Sequence, residues 1–220
     1  MIHTEDFVFN NFQTRCSVIW DDALTCAVID PGCADPAELS RLTSFIEDKG
    51  LKPACIMLTH GHFDHVLGVA GLSKHFGGLP VYMHPEDRFT LENNEYFCRW
   101  FGAPLPESFE TTDVVEGDTV KVGSLNFEVI ETPGHTKGGV CYLERNEKTL
   151  FSGDTLFAGA IGRTDHPGGD YDRLMKSIFE KLICLDGDIR IVPGHGPASD
   201  IATERMTNPF LLPFNEPYEE

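Results

Sequence analysis

The stretch Thr59-His60-Gly61-His62-Phe63-Asp64-His65 places four potential metal ligands, His60, His62, Asp64 and His65, within six residues. Neutral imidazole suits zinc, iron and manganese, and a carboxylate adds charge and can be shared by two ions. A single buried His is ordinarily a packed residue with one hydrogen bond. Three His and one Asp this close together, buried without a cation, would leave several polar groups in need of partners. The pattern therefore points to a metal centre.

The flanking elements explain how such a cluster is presented. Ala54-Cys55-Ile56-Met57-Leu58 is a short apolar run that reads as a buried strand, and Val66-Leu67-Gly68-Val69-Ala70 reads as the opening of a helix. At a strand–loop–helix junction an α/β protein can project several side chains to one point above its sheet. Three more strand-like runs, Leu125 to Ile130, Thr149 to Phe151 and Ile189 to Val192, lead to Thr132-Pro133-Gly134-His135, Ser152-Gly153-Asp154 and Val192-Pro193-Gly194-His195. In each the candidate ligand follows a Gly, which lets the backbone turn tightly and approach the site.

This order, H-x-H-x-D-H followed by His135, Asp154 and His195, resembles the metallo-β-lactamase superfamily, and the resemblance runs from Val28-Ile29-Asp30-Pro31-Gly32 to Pro209. It implies an α/β fold, a four-layer αβ/βα sandwich, with residues 1–220 forming a single domain. It also implies two adjacent metals. His60, His62 and His135 would hold the first, Asp64, His65 and His195 the second, and Asp154 would bridge them beside a water or hydroxide. Zinc is the expected cofactor, one or two per chain, with iron or manganese as substitutes.

A narrower resemblance lies in Leu156 to Asp165, Pro167-Gly168-Gly169-Asp170, His195-Gly196-Pro197, Glu204-Arg205 and Thr207-Asn208-Pro209-Phe210. These segments are similar to small type II glyoxalase-like hydrolases. The Gly162-Arg163-Thr164-Asp165 element is shared with persulfide dioxygenases, whereas the last segments favour the hydrolases. The implied reaction is hydrolysis of a thioester such as S-lactoylglutathione by metal-activated hydroxide. Asp64 would be the catalytic residue that orients the hydroxide, so Asp64→Asn is expected to lower kcat far more than it raises KM. Arg163 and Asp165 are expected to buttress the site by pairing.

Full-length type II glyoxalases carry a carboxy-terminal helical domain that supplies basic residues for glutathione. Only 25 residues follow His195, with Arg205 the single basic one, so no such domain is expected and the thiol stays open. Lys137 is then the best-placed cation for an anionic thiol, with Arg99 and Lys74 behind it. The leading alternative is a mononuclear-iron persulfide dioxygenase using His60, His135 and Asp154. A β-lactamase is disfavoured because Met1 to Asp6 shows no basic region followed by an apolar core, and hence no expected signal peptide. A non-catalytic metal-binding protein would need its pocket closed.

Composition narrows the partners. Against 35 acidic residues stand 17 basic ones, a net charge of −18, which gives little surface for neutralising phosphates and argues against nucleic acid. No apolar run is long enough to span a membrane. Seven Cys without a C-x-x-C pair suggest reduced thiols, a cytoplasmic setting and buried small hydrophobes. A small-molecule thioester is the expected partner, and nothing sets an oligomeric state.

The remaining elements follow from periodicity. Phe7 to Phe9, Cys16 to Trp20 and Thr25 to Ile29 read as strands. Asp35-Pro36-Ala37-Glu38 opens a helix with Asp35 as cap and Glu38 closing a capping box, and Leu39, Leu42, Phe45 and Ile46 form its apolar stripe. Asp118 to Ile130 reads as a hairpin turning at Gly123-Ser124, and a helix starts near Asp170 with Leu174, Ile178 and Leu182 on one face. Phe89, Tyr96, Phe97, Trp100 and Phe101 recur at helical spacing, which predicts core packing for most of these rings rather than a wall over the metals.

Overall fold

Two six-stranded sheets stack face to face, each backed by helices, in the computed structural model, which describes residues 1–212. The first sheet has the order β1 (His3–Phe9), β2 (Thr14–Trp20), β3 (Thr25–Ile29), β4 (Lys52–Met57), β5 (Val81–Met83) and β6 (Thr112–Asp113). Its first three strands are antiparallel and the rest run parallel to β3. Between them come helices α1 (Pro36–Asp48), α2 (Phe63–Val66), α3 (Val69–His75) and α4 (Arg88–Phe101).

The second sheet is built from β7 (Thr119–Val122), β8 (Leu125–Glu131), β9 (Val140–Glu144), β10 (Thr149–Gly153), β13 (Arg190–Pro193) and β14 (Ser199–Asp200). A small ribbon, β11 (Leu156–Phe157) and β12 (Ala160–Ile161), follows β10, and helices α5 (Tyr171–Ser177) and α6 (Ile201–Thr207) flank β13 and β14. The β10–β13 pairing is parallel; its neighbours are antiparallel.

Alternate residues of a strand face opposite sides, and that alternation builds the layers. Ile19, Ala27, Ile29 and Met57 of the first sheet meet Phe127, Val129, Tyr142 and Phe151 of the second. On the outer face of the first sheet, Val18, Val28 and Ile56 pack against Leu42 and Ile46 of α1 and Leu72 of α3. On the outer face of the second, Cys141, Leu143 and Ile191 pack against Leu174, Ile178 and Leu182. The result is the expected helix–sheet–sheet–helix sandwich. Tyr142 also ties the sheets together, donating its hydroxyl to the Leu58 carbonyl at 2.9 Å just beyond β4.

Several local expectations are refined. Asp35 caps α1 through the Ala37 and Glu38 amides, but Glu38 accepts from Asn10 N and Ala34 N rather than closing a box onto Asp35. The helix expected to open at Val66 begins earlier, so that Asp64 and His65 lie within α2, and it breaks at Leu67-Gly68. Only glycine fits at the break, because a Cβ on Gly68 would lie 2.7 Å from the Pro31 carbonyl oxygen. The helix capped by Asp170 continues as a π turn over Ile178–Leu182. Six of the seven Cys are buried and unpaired, and Cys184 is exposed. No helix among the described residues is long and apolar enough to cross a membrane.

Candidate metal centre

The ligand candidates all sit where strands end at one rim of the sandwich. His60 and His62 follow β4, and Asp64 and His65 stand on α2. His135 follows β8, Asp154 follows β10 and His195 follows β13. Gly153 takes φ +49 and Gly134 φ +142, conformations an L side chain rarely adopts, and these turns swing Asp154 and His135 inwards.

Two donor sets result. In the first, single ligand atoms of His60, His62 and His135 lie within 4.8 Å of one another, with His62 Nδ1 facing His135 Nε2 at 3.0 Å. In the second, Asp64, His65 and His195 meet the same criterion, with His65 Nε2 and His195 Nε2 3.2 Å apart. Asp154 stands between them. Its Oδ1 is 3.5 Å from His65 Nε2, and its Oδ2 is 3.6 Å from His135 Nε2 and 3.4 Å from His195 Nε2.

For four of the five rings, outer hydrogen bonds decide which nitrogen turns inwards, the usual support for a metal-binding imidazole. His65 Nδ1 donates to Asp30 Oδ2 at 3.0 Å, and His60 Nδ1 donates to Thr59 Oγ1 at 3.1 Å. The Thr59 hydroxyl in turn donates to Asp30 Oδ2 at 2.6 Å. His135 Nδ1 donates to the Arg163 carbonyl and His195 Nδ1 to the Phe12 carbonyl, at 2.7 and 3.0 Å. Asp64 is steadied by the Thr14 hydroxyl at 2.8 Å on Oδ2. A third grouping, Asp30 with His60 and His65, belongs to this support, since Asp30 Oδ2 already accepts from Thr59 Oγ1 and His65 Nδ1.

Electrostatics divide the two sets. Burial holds His60, His62 and His135 below the ordinary imidazole value, aided by the neighbouring rings. Burial opposes charge on His65 too, yet Asp64, Asp154 and Asp30 hold its pKa up to about 10. His195 is likewise raised against burial by its hydrogen bond to Asp154. Burial would raise Asp154, but His65 and His195 hold it well below the carboxylate range.

Buried His60 Nε2 and Asp154 Oδ1 have no hydrogen-bond partner. Lone pairs converging from imidazole and carboxylate, with unmet polar atoms at their focus, fit divalent transition metals. A family model described as the metallo-beta-lactamase superfamily matches residues 10–195, a span that holds every one of these donors.

The chain belongs to the metallo-β-lactamase superfamily.

Its relatives cover nearly the whole chain. It is 42% identical over 202 residues to hydroxyacylglutathione hydrolase GloC of Haemophilus influenzae, covering 91% of this chain and 93% of that protein. The crystal structure of BLEG-1 B3 metallo-beta-lactamase superposes with a TM-score of 0.87 at 34% identity, covering 96% of this chain and 99% of that one. TTHA1623 in a di-iron-bound form gives 0.83 at 35% identity, covering 94% and 100%. Family membership and the donor clusters together mark the chain as a metallo-hydrolase with a metal cofactor.

The site opens to a pocket. Its volume is about 410 Å³, its floor includes His62, Asp64, His135, Asp154 and His195, and its walls are mostly aromatic. Phe12 meets Phe63 and Phe101 edge-on at 5.0 and 5.3 Å, and Phe97 and Phe157 complete the ring-lined wall. The expectation of core packing for the 89–101 rings is corrected here. Phe97 is buried but lines the pocket, Phe101 lines it while half exposed, and Tyr96 and Trp100 face solvent at 54% and 76% exposure. A wall beside a site needs the same helical spacing as a core stripe, so periodicity did not separate them.

The two expected substrate cations stand apart from the pocket lining. Lys137 places its ammonium 3.6 Å from the centre of the Phe89 ring and lines a separate groove with His84, Glu131 and Arg173. Arg99 is exposed and paired with Glu95 on the outer side of α4. Arg163 does line the pocket, and it pairs with Asp165 through two 3.0 Å hydrogen bonds, as expected. Its carbonyl, rather than that pair, supports His135.

Sequence reading missed Asp87. This fully buried carboxylate accepts from Gly61 N at 2.6 Å, Gly138 N at 2.9 Å and Thr90 Oγ1 at 3.1 Å. It thereby locks the His60–His62 loop to the loop behind His135. Thr14 and Asn10 were missed as well; Asn10 Nδ2 bridges the carbonyls of Gly32 and Asp64.

Proposed function

We propose that the chain is a dinuclear metal-dependent thioesterase acting on S-lactoylglutathione-type thioesters, releasing a hydroxy acid and a free thiol. One observation carries this reading: two donor sets meet across Asp154 at the floor of a single pocket. Divalent ions bound there would polarise a carbonyl and supply a nucleophile at neutral pH.

The chain's own residues do the rest. His60, His62 and His135 would hold one ion, Asp64, His65 and His195 the other, and Asp154 both. Asp64, which accepts from the Thr14 hydroxyl and lines the pocket, would orient the attacking water. Phe12, Phe63, Phe97 and Phe101 line the pocket and would limit bulk water around a reacting carbonyl, which strengthens polar interactions at the floor. Arg163 is positioned at the wall for a carboxylate on the thiol portion. A thiolate is a tolerable leaving group, so no strong general acid is required.

Support comes from the similarity to a protein named a hydroxyacylglutathione hydrolase over 93% of its length. The likeness to TTHA1623 in its di-iron-bound form favours two ions and makes iron a metal to compare with zinc. A persulfide dioxygenase using His60, His135 and Asp154 would leave the convergence of Asp64, His65 and His195 without a purpose, so the second set favours hydrolysis.

The test is kcat/KM for S-lactoylglutathione with protein loaded with zinc, then iron or manganese, alongside metal content. Two ions per chain and a value above about 10⁴ M⁻¹s⁻¹ are expected. One iron per chain, with oxygen uptake on a persulfide and no thioester cleavage, would overturn the proposal.

A further inference from the structure

Five imidazoles turn a nitrogen towards the centre, and four of them tie the opposite nitrogen to the protein. His60 uses Thr59, His65 uses Asp30, His135 uses the Arg163 carbonyl and His195 the Phe12 carbonyl. His62 is the exception. Its inward atom is Nδ1, so a lone pair available there puts the ring proton on Nε2, and His62 Nε2 is buried without a partner.

The neighbouring ring has the complementary defect. His166 lies 4.9 Å from His62, 5.0 Å from His135 and 5.7 Å from Phe97 between ring centres, and it belongs to neither donor set. Its Nδ1 faces the Pro167 carbonyl at 3.4 Å. A carbonyl can only accept, so that nitrogen carries the hydrogen and Nε2 becomes an acceptor. His166 Nε2 is also buried and unpartnered. A donor lacking an acceptor and an acceptor lacking a donor therefore stand on adjacent rings, each at the cost of an unmet buried polar atom.

We propose that His166 is the positioning residue for His62: in the metal-loaded protein His166 Nε2 accepts the His62 Nε2–H hydrogen bond, by a turn of the His166 ring or through one water. This rests on the metal reading above. The loop is built to hold the ring in place. Gly169 N donates to the His166 carbonyl at 2.9 Å, Gly168 supplies the φ of +93 that this turn needs, and Asp170 N donates to Gly134 O at 2.7 Å beside His135. With this bond all five imidazoles have an outer partner, the arrangement that fixes tautomer and ring angle in metal sites.

The experiment compares wild type with His166→Phe, which keeps a ring but has no acceptor, and His166→Gln, whose amide oxygen restores one. Zinc affinity is measured by chelator competition, the cobalt-substituted protein by its visible spectrum, and the metal-free proteins by thermal melting. The Phe variant is expected to bind its first zinc about 10- to 100-fold more weakly and to show a shifted cobalt spectrum. The Gln variant should recover most of both, while the metal-free proteins melt together. Unchanged affinity and spectrum in the Phe variant would overturn the inference, as would equal losses in both variants, which would assign the effect to shape. Wild type that takes up no zinc, iron or manganese would overturn the metal reading itself and this inference with it.

Discussion

His65 and His60 hang from one carboxylate oxygen: His65 Nδ1 donates to Asp30 Oδ2 at 3.0 Å, and His60 reaches the same atom through the Thr59 hydroxyl. One buried anion thus sets the tautomer of a ligand candidate in each donor set. Asp30 occupies φ +49, a conformation Asn also tolerates, so Asp30→Asn should fold. An amide cannot accept from both donors on one oxygen while matching the Thr59 amide on the other. Chelator competition is expected to show both zinc equivalents weakened by about 10- to 100-fold. Thr59→Val should weaken only the equivalent held by His60.

Asp87 performs the same service for backbone. Its three hydrogen bonds from Gly61, Gly138 and Thr90 clamp the loops carrying His60, His62 and His135. Burial pushes the Asp87 pKa up, and the Gly138 amide leads the donors that oppose this. Asp87→Ala leaves those donors buried without a partner, which should cost about 3 kcal/mol of stability in urea denaturation of the metal-free protein. The first donor set should lose affinity more than the second, because Asp64, His65 and His195 are held elsewhere.

These two carboxylates show where sequence reading succeeds and where it stops. His60, His62, Asp64 and His65 were legible because ligand types crowd into six residues after an apolar strand, and His135, Asp154 and His195 because each follows a Gly at a strand end. The apolar runs Cys16 to Trp20 and Thr25 to Ile29, the alternation of Leu125, Phe127 and Val129, and the stripe of Leu39, Leu42, Phe45 and Ile46 likewise foretold β2, β3, β8 and the face of α1. Asp87 has no such signature. In Pro85-Glu86-Asp87-Arg88 it reads as an ordinary acidic residue at a helix start, and only the tertiary fold brings Gly138 to it. Lys137 misled because it adjoins His135 in sequence, while its side chain turns onto the Phe89 ring. A cation over an aromatic face is favourable in its own right.

The unequal charge of the two sets predicts an unequal pH response. His60, His62 and His135 are held neutral by burial, so a metal entering there displaces few protons near pH 7. His65 keeps its proton up to about 10, and His195 is raised as well, so a metal entering the second set must displace them. Affinity of the second equivalent should rise with pH by about tenfold per unit for each proton released, while the first stays nearly flat. Calorimetric titration in buffers of different ionisation enthalpy counts those protons. The sign reverses for the metal-free fold. The His65 proton stabilises it fully below about 6.5, and that contribution is lost as pH rises through about 10.

Arg163 and Lys137 offer competing answers to how the anionic thiol of the proposed substrate would be recognised, and their positions favour Arg163. Arg163 lines the pocket above His135, paired with Asp165 at 3.0 Å and 71% exposed at the side chain. An exposed pair of this kind is worth little, so the guanidinium can exchange Asp165 for a substrate carboxylate at small cost. Lys137 lines another groove, with His84, Glu131 and Arg173, and is absent from the pocket lining. Arg163→Ala keeps the backbone carbonyl that supports His135, so the metal sites should fill as in wild type. KM for S-lactoylglutathione is expected to rise about tenfold, the value of one charge-assisted contact, with kcat within about twofold. Lys137→Ala should leave both constants unchanged. A rise in KM from the Lys137 change instead, with the Arg163 change silent, would move the thiol-binding end of the pocket to the side of α4 that carries Phe89.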